Sequence, residues 1–309
     1  MIPDADLRQK LRELPRRLRA SVIGQDDAVA IVAERLCHAE LNLTRTGRPK
    51  ASFLLLGPTG VGKTSLVLEF SDALLGPGKV VRLDMSEYKT EDRLALLLGT
   101  SRADPGRIAE GYDACGGSGT LLLDEIEKAH PRVLDILLQL LEPARLTTGA
   151  NRVLDFSRWY VAMTSNIGAA RIMAMRRSLY ETMRRLVEQD AQRELRPEIF
   201  NRITETVVLN KLGYDTLCQI AAKLLADELS HHHTSGHVLT AETGVLDAVI
   251  NQGYNDRLGA RPMRDAVERL VRNALSEDLL NGGRGVGLLR AQPATTKLEL
   301  LPTAMAAAA

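Results

Sequence analysis

The eight residues GPTGVGKT, at 57–64, restrict the fold more than any other stretch of this chain. They fit G-x-x-x-x-G-K-[ST], follow an apolar segment (SFLLLG) and open a helical one (GKTSLVLEFSDALL). That strand–turn–helix setting is what the motif needs to bind phosphate. Its glycines let the backbone curl so that N–H groups face phosphate oxygens, and the helix N-terminus adds partial positive charge. Gly57, Pro58, Thr59, Gly60, Val61 and Gly62 form the expected cradle. Lys63 is expected to reach the outer phosphates, the Thr64 hydroxyl to hold Mg²⁺, and Ser65, in the first helical turn, to join the nucleotide-binding residues.

The apolar runs VVRLD, TLLLDE and WYVAMTSN alternate with helical segments. Strands alternating with helices predict an α/β fold, a parallel sheet covered on both faces. LLLDE (121–125) ends an apolar strand in two carboxylates, which places charge at the carboxyl edge of the sheet, where such folds bind ligands. Asp124 is expected in the Mg²⁺ shell and Glu125 to orient the attacking water. ARLTTGANRVLDF (144–156) reads as a hairpin. Beyond TETVVLNKLGYD the pattern predicts helices over 213–230, 241–251 and 260–281, then two short β-like stretches, VGLLRA and KLELL. The expected division is an N-terminal helix (1–20), a large domain (21–209), a small, mainly helical lid domain (210–303) and a disordered tail (304–309).

Composition narrows the partners. Forty Lys and Arg nearly cancel 39 Asp and Glu, so no global field favours nucleic acid or an anionic membrane. The arginines of residues 5–19 read as a solvated helix face. Three scattered cysteines, Cys37, Cys115 and Cys218, argue against a disulfide framework and suit a reducing cytoplasm. No apolar run approaches the ~20 residues that span a bilayer. SHHHTSGH (230–237) reads as a polar helix-to-strand connection, because consecutive histidines on a helix end point in different directions.

VIGQ, GPTGVGKT, LDMSEY, LLLDEIEKAHPRVLDILLQLLE, VAMTSNIG, RPEIFNRI and LGARPMRDAVERL occur in the order found in Clp-type AAA+ ATPases. Over roughly residues 14–300 the chain most resembles the second nucleotide-binding ring of ClpB-like disaggregases. The resemblance implies a P-loop αβα large domain followed by an AAA+ lid, with ATP and Mg²⁺ as ligands. It places Val22 and Ile23 against adenine and makes Asn166 the polar sensor beside the γ-phosphate. It makes Arg202 the arginine finger reaching a neighbour's nucleotide, and Arg261 the second sensor, extending from the small domain. It also implies a homo-oligomer, a six-membered ring acting on a protein substrate.

Three departures qualify it. Where threading relatives carry a glycine-flanked aromatic, this chain has GTSRADPGRIAEG (99–111), with no aromatic. An aromatic gives sequence-tolerant contact; Arg102, Asp104 and Arg107 offer polar or ionic contact instead. The segment is either a loop that has lost its grip or one specialised for a partner. The Ile-Gly-Leu/Phe-type tripeptide that docks a ClpP-type protease is missing, which speaks against that partner. One ATPase module is expected, and no substantial N-terminal domain. Three functions share the expected engine: a protein remodeller, an ATP-driven switch dedicated to one partner complex, and a DNA-associated loader. The near-zero net charge and the absence of loader signatures weigh against the third.

Overall fold

The computed structural model of the chain describes residues 5–43, 46–175, 179–292 and 297–302; the tail expected over 304–309 lies outside them. Two units emerge, Met1–Pro58 with Gly62–Asn210, and Lys211–Ala309 with Thr59–Val61.

The first unit opens with α1 (Ala5–Ser21), which buries Leu11, Leu14 and Leu18 at helical spacing beside α2 (Asp26–Glu40). Pro15 sits inside α1 and has no N–H for the Leu11 carbonyl. The Cys37 thiol of α2 donates to that oxygen instead, at 3.9 Å. Arg17 departs from the expected solvated basic face. Its Nε donates to Glu69 at 2.8 Å and its Nη2 to Asp72 at 2.5 Å, both on α3 (Lys63–Leu75).

Between α2 and α3 runs β1 (Ala51–Leu56), buried at every residue, as ASFLLL requires when both faces of a strand are covered. The other sheet strands are β2 (Val80–Asp84), β3 (Thr120–Asp124), β6 (Tyr160–Ser165) and β7 (Glu205–Val208), in the order β2-β3-β6-β1-β7, all parallel. This is the expected α/β sheet. The central strands β3 and β6 are buried throughout, like β1. Each leucine or phenylalanine so enclosed contributes about 1.5–3 kcal/mol. Register sets what stands at the carboxyl edge: Asp84 pairs with Asp124, Leu123 with Met163 and Leu56 with Ser165.

Between β2 and β3 lie the short α4 (Leu94–Leu98) and α5 (Arg107–Ala114). After β3 come α6 (Pro131–Leu141) and the antiparallel pair β4 (Arg145–Thr147) and β5 (Val153–Asp155), the expected hairpin. The segment 99–111 is only partly loop, because α5 begins at Arg107. Gly106, at φ 80°, turns the chain into that helix, whose Ile108 and Ala109 are buried. Tyr112 belongs to α5. It stacks on Trp159 with centroids 5.3 Å apart, and its hydroxyl donates to the Asp155 carbonyl at 3.1 Å. Residues 100–104 close on themselves: Thr100 N donates to Asp104 O at 3.0 Å, and Thr100 Oγ1 to Asp104 Oδ2 at 2.8 Å. The hairpin meets the loop at Gly149, whose N–H donates to Leu98 O at 3.0 Å; a Cβ there would stand 2.0 Å from Gly99 O.

After β6 the unit continues through α7 (Ala169–Ala174), α8 (Tyr180–Glu194) and α9 (Pro197–Phe200) before β7. The second unit holds α10 (Tyr214–Thr234), β8 (Val238–Ala241), α11 (Thr243–Gly253), α12 (Arg261–Leu280), β9 (Val286–Ala291) and β10 (Leu298–Pro302). The three helices match their expected spans within a few residues. The sheet order is β10-β9-β8, so the two foreseen β-like stretches are joined by a third strand, β8, following the histidine run. His231–His233 finish α10, and His232 Nε2 lies 3.2 Å from Glu228 Oε1.

Candidate nucleotide site

The phosphate loop leaves β1 through Gly57, whose N–H donates to the Ser165 carbonyl of β6 at 3.3 Å. It enters α3 through Gly62 at φ 105°, a left-handed conformation that favours glycine. A Cβ on Gly62 would stand 3.1 Å from Val22 Cγ1, so buried Val22 backs the loop; Ile23 beside it is half-buried. Thr59, Gly60 and Val61 form the outer bend, and Ser65 is exposed in the first turn of α3. Helix geometry leaves the N–H groups of that turn without intrahelical acceptors.

Lys63 is buried, and its ammonium is enclosed by acceptors. It donates to Gly57 O at 2.5 Å, to Pro58 O at 2.8 Å and to Asn166 Oδ1 at 3.0 Å. Asn166 stands one residue past β6, brought to the loop by the β1–β6 pairing. Asp124, at the end of β3, takes the Thr64 hydroxyl at 3.0 Å and the Thr164 hydroxyl at 2.8 Å on Oδ1, and Arg82 Nε at 2.7 Å on Oδ2. A buried carboxylate beside a threonine hydroxyl is a set of hard oxygen donors suited to Mg²⁺. An enclosed ammonium at a helix N-terminus suits phosphate. The residues present therefore fit both groups.

Glu125 lies in the left-handed region at φ 58°, an unusual conformation for a side chain of its size and one that recurs at functional sites. Its N–H donates to Thr164 Oγ1 at 3.1 Å, and its carboxylate pairs with Lys128. That bond to Glu125 raises the Lys128 ammonium above its ordinary pKa. Asp84 is held below the usual carboxylate range, first by its hydrogen bond with Ser86 and then by the charges of Lys128 and Arg82.

Lys63, Thr64, Asp124 and Asn166 are thus joined at one end of the sheet, while Arg202 stands at the other. Ser52 Oγ donates to the Arg202 carbonyl at 3.5 Å, and Thr204 N donates to Ser52 O at 3.1 Å, at the start of β1. Arg202 Nη1 donates to the Leu138 carbonyl at 3.1 Å. Arg261 is the exposed first residue of α12 in the second unit. Sequence reading missed Arg82, Thr164, Glu127 and Lys128. Register places the first two beside Asp124, and the DEIEK turn places the others; its run of charges was the only signal.

The profile described as AAA domain (Cdc48 subfamily) matches residues 48–206, and that of the C-terminal D2-small domain of ClpB protein matches residues 212–286. Chaperone protein ClpB 2 of Thermosynechococcus vestitus is 39% identical over 296 residues, covering 89% of this chain and 32% of its own length. Heat shock protein 100 of Trypanosoma brucei brucei is 37% identical over 277 residues, covering 85% and 31%. The chain spans about a third of the length of such curated relatives. A closed-state Hsp104 determined with ATPγS and FITC casein superposes with TM-score 0.84 at 28% identity, covering 97% of this chain and 53% of that one. The S. cerevisiae Hsp104–ADP complex gives 0.83 at 29%, with the same coverage.

Proposed function

This chain belongs to the AAA domain family, of the ClpB type, and we propose that it hydrolyses ATP to remodel a protein partner. The pairing of Lys63 with Asn166 and of its neighbour Thr64 with Asp124, at one edge of the sheet, carries the reading. The cradle 57–62 and Lys63 bind the phosphates; Val22 and Ile23 receive the base. Thr64 and Asp124 hold Mg²⁺, which when bound draws negative charge off the phosphate oxygens. Glu125 takes the proton of an oriented water, and Asn166 fixes where that water stands. Phosphoryl transfer is catalysed mainly by such positioning and by cations facing the charge that spreads. Arg202 serves a neighbouring protomer and Arg261 the protomer that carries it, in a six-membered homo-oligomeric ring working in a reducing cytoplasm.

The partner side follows from the 99–106 turn. It is closed by its own hydrogen bonds and offers the exposed Arg102 and Ala103, with no aromatic. That supports polar contact with a specific protein over indiscriminate grip. The test is Glu125→Gln: it binds Mg·ATP with unchanged Kd, turns over at least ~10²-fold more slowly, and retains its client in a pull-down with ATP. Normal turnover by this variant overturns the assignment.

A further inference from the structure

Glu127 has no part in the reaction as set out above, yet its carboxylate is placed where it governs Asn166. One oxygen, Oε1, accepts both the backbone N–H and the side-chain Nδ2–H of Asn166, each at 3.2 Å. On the other side of the same amide, Oδ1 accepts from Lys63 Nζ at 3.0 Å. We infer that Glu127 is a positioning residue, which acts through Asn166 and fixes the orientation of its amide toward the phosphate loop. The inference rests on the ATPase reading.

The two ends of an asparagine amide have nearly the same shape, and only their hydrogen-bond partners tell them apart. The amide oxygen faces an ammonium and the amide nitrogen faces a carboxylate. Turning it over would set NH₂ against the Lys63 ammonium and oxygen against the Glu127 carboxylate, two repulsive contacts in place of two charge-assisted bonds. Glu127 therefore adds to the discrimination that Lys63 supplies. Its bond to the Asn166 N–H also holds the backbone where β6 ends. That is one residue past Ser165, whose carbonyl receives Gly57 N of the loop.

Local structure explains the reach. Glu127 stands in the three-residue turn Ile126–Lys128, after Glu125 in its left-handed conformation, with Lys128 N donating to Glu125 O at 2.9 Å. Leu123 is in register with Met163, so the turn and Asn166 extend side by side beyond the same edge of β3 and β6. Lys128 bonds Glu125 from this turn while Glu127 bonds Asn166, so adjacent residues orient the base and the sensor.

The test compares Glu127→Ala, Glu127→Gln and Asn166→Ala, singly and with Asn166→Ala combined with Glu127→Ala. Glutamine keeps a carbonyl acceptor at the same place; alanine does not. Expected for Glu127→Ala is a fall of about tenfold in kcat, the size of one lost bond to a charged group. KM for Mg·ATP, the Kd for a fluorescent ADP analogue and the melting temperature stay unchanged. Glu127→Gln recovers most of the rate, and the double variant is no slower than Asn166→Ala alone. In the nucleotide-free protein the Asn166 side-chain NH₂ resonances, identified by their loss in Asn166→Ala, shift in Glu127→Ala and stay in place in Glu127→Gln. If the alanine variant melts early, Glu127→Asp replaces it, withdrawing the carboxylate by about 1.5 Å. Wild-type kcat in Glu127→Ala, or losses that multiply in the double variant, overturns the positioning role. An Asn166→Ala protein that is fully active removes the sensor role of Asn166 and the positioning role with it. A wild-type chain that turns over no Mg·ATP sinks the ATPase assignment instead.

Discussion

Replacing Arg202 with alanine tests whether the site is completed from outside the chain. Arg202 is bonded beside Ser52, the second residue of β1, and the phosphate cradle starts at Gly57, just past the strand's other end. Five residues of extended strand separate them by about 17 Å. An arginine side chain, some six bonds long, reaches at most about 8 Å from its Cα. Arg202 therefore cannot serve the nucleotide of its own chain. Arg202→Ala forfeits a 3.1 Å bond to Leu138 O and a 3.9 Å approach to Glu142, which keeps Arg48 at 2.9 Å. That costs under ~1 kcal/mol of stability, so the variant folds. Its steady-state ATPase falls by about 10³-fold while Kd for nucleotide holds, the loss expected when a finger given in trans is removed. Lys63→Ala is inactive for the other reason, lacking the phosphate ligand. Mixed in equal amounts and allowed to exchange subunits, the two inactive proteins regain activity. About a quarter of randomly formed head-to-tail interfaces pair an intact Lys63 with a neighbour's intact Arg202. A finger acting within its own chain gives no recovery, because no chain in the mixture carries both residues. Absence of recovery in mixed rings, or wild-type turnover by Arg202→Ala alone, refutes the reasoning.

Two further outcomes test the surroundings of the site. Gly149→Ala places a methyl 2.0 Å from the Gly99 carbonyl; overpacking of this kind costs about 1–3 kcal/mol. Urea titration should show that loss, with faster hydrogen exchange at residue 149, and no change in either refutes a packed contact between loop and hairpin. Arg171 grips Asp190 through two bonds, at 2.5 and 2.8 Å, and chiefly through the hydrogen bonding holds that carboxyl below its usual range. A lowered folded pKa stabilises above the ordinary carboxylate value and loses its effect as pH falls through the lowered one. The melting-temperature gap between wild type and Asp190→Asn should accordingly be steady near neutrality and close as the pH falls below the ordinary carboxylate range; a gap independent of pH rejects the pair.

The sheet was legible because three of its strands are apolar on both faces, a pattern that only a covered parallel sheet explains. The neighbourhood of the phosphate loop was legible for a related reason. Asp124 and Asn166 stand where strands end and Lys63 opens the helix that follows another, and parallel strands bring their carboxyl ends to one edge. What stayed hidden was set by register and by backbone exceptions. Nothing in VVRLD says that Arg82 meets Asp124 across the sheet, nor in MTSN that Thr164 caps the same carboxylate. Glu125's left-handed backbone turns the DEIEK run back on itself, and no local propensity announces it. The β8 strand was implied only by the helix-to-strand reading of 230–237 and given no span of its own, because four residues beside a histidine run carry little pattern. Arg17 was misread since a basic helix looks solvated until an acidic neighbour from α3 is placed against it.

The 99–106 turn connects these observations to the kind of work the chain performs. A loop that grips any polypeptide needs a side chain indifferent to sequence and a backbone free to follow the chain it holds. This one has neither. Thr100 and Asp104 close it with backbone and side-chain bonds, and at its base Gly99 and Gly106 approach so closely that a Cβ on Gly106 would lie 2.2 Å from Gly99 N. Such a turn loses little conformational entropy on binding, because its ordering cost is met in folding. Low ordering cost favours recognition of one complementary surface, and the exposed guanidinium of Arg102 gives that surface a sign: it should offer a carboxylate. Stimulation of ATPase by a cognate partner should then fall with Arg102→Ala while basal turnover is kept. A generic unfolded substrate should stimulate neither protein; equal stimulation of both by such a substrate would return the loop to indiscriminate grip.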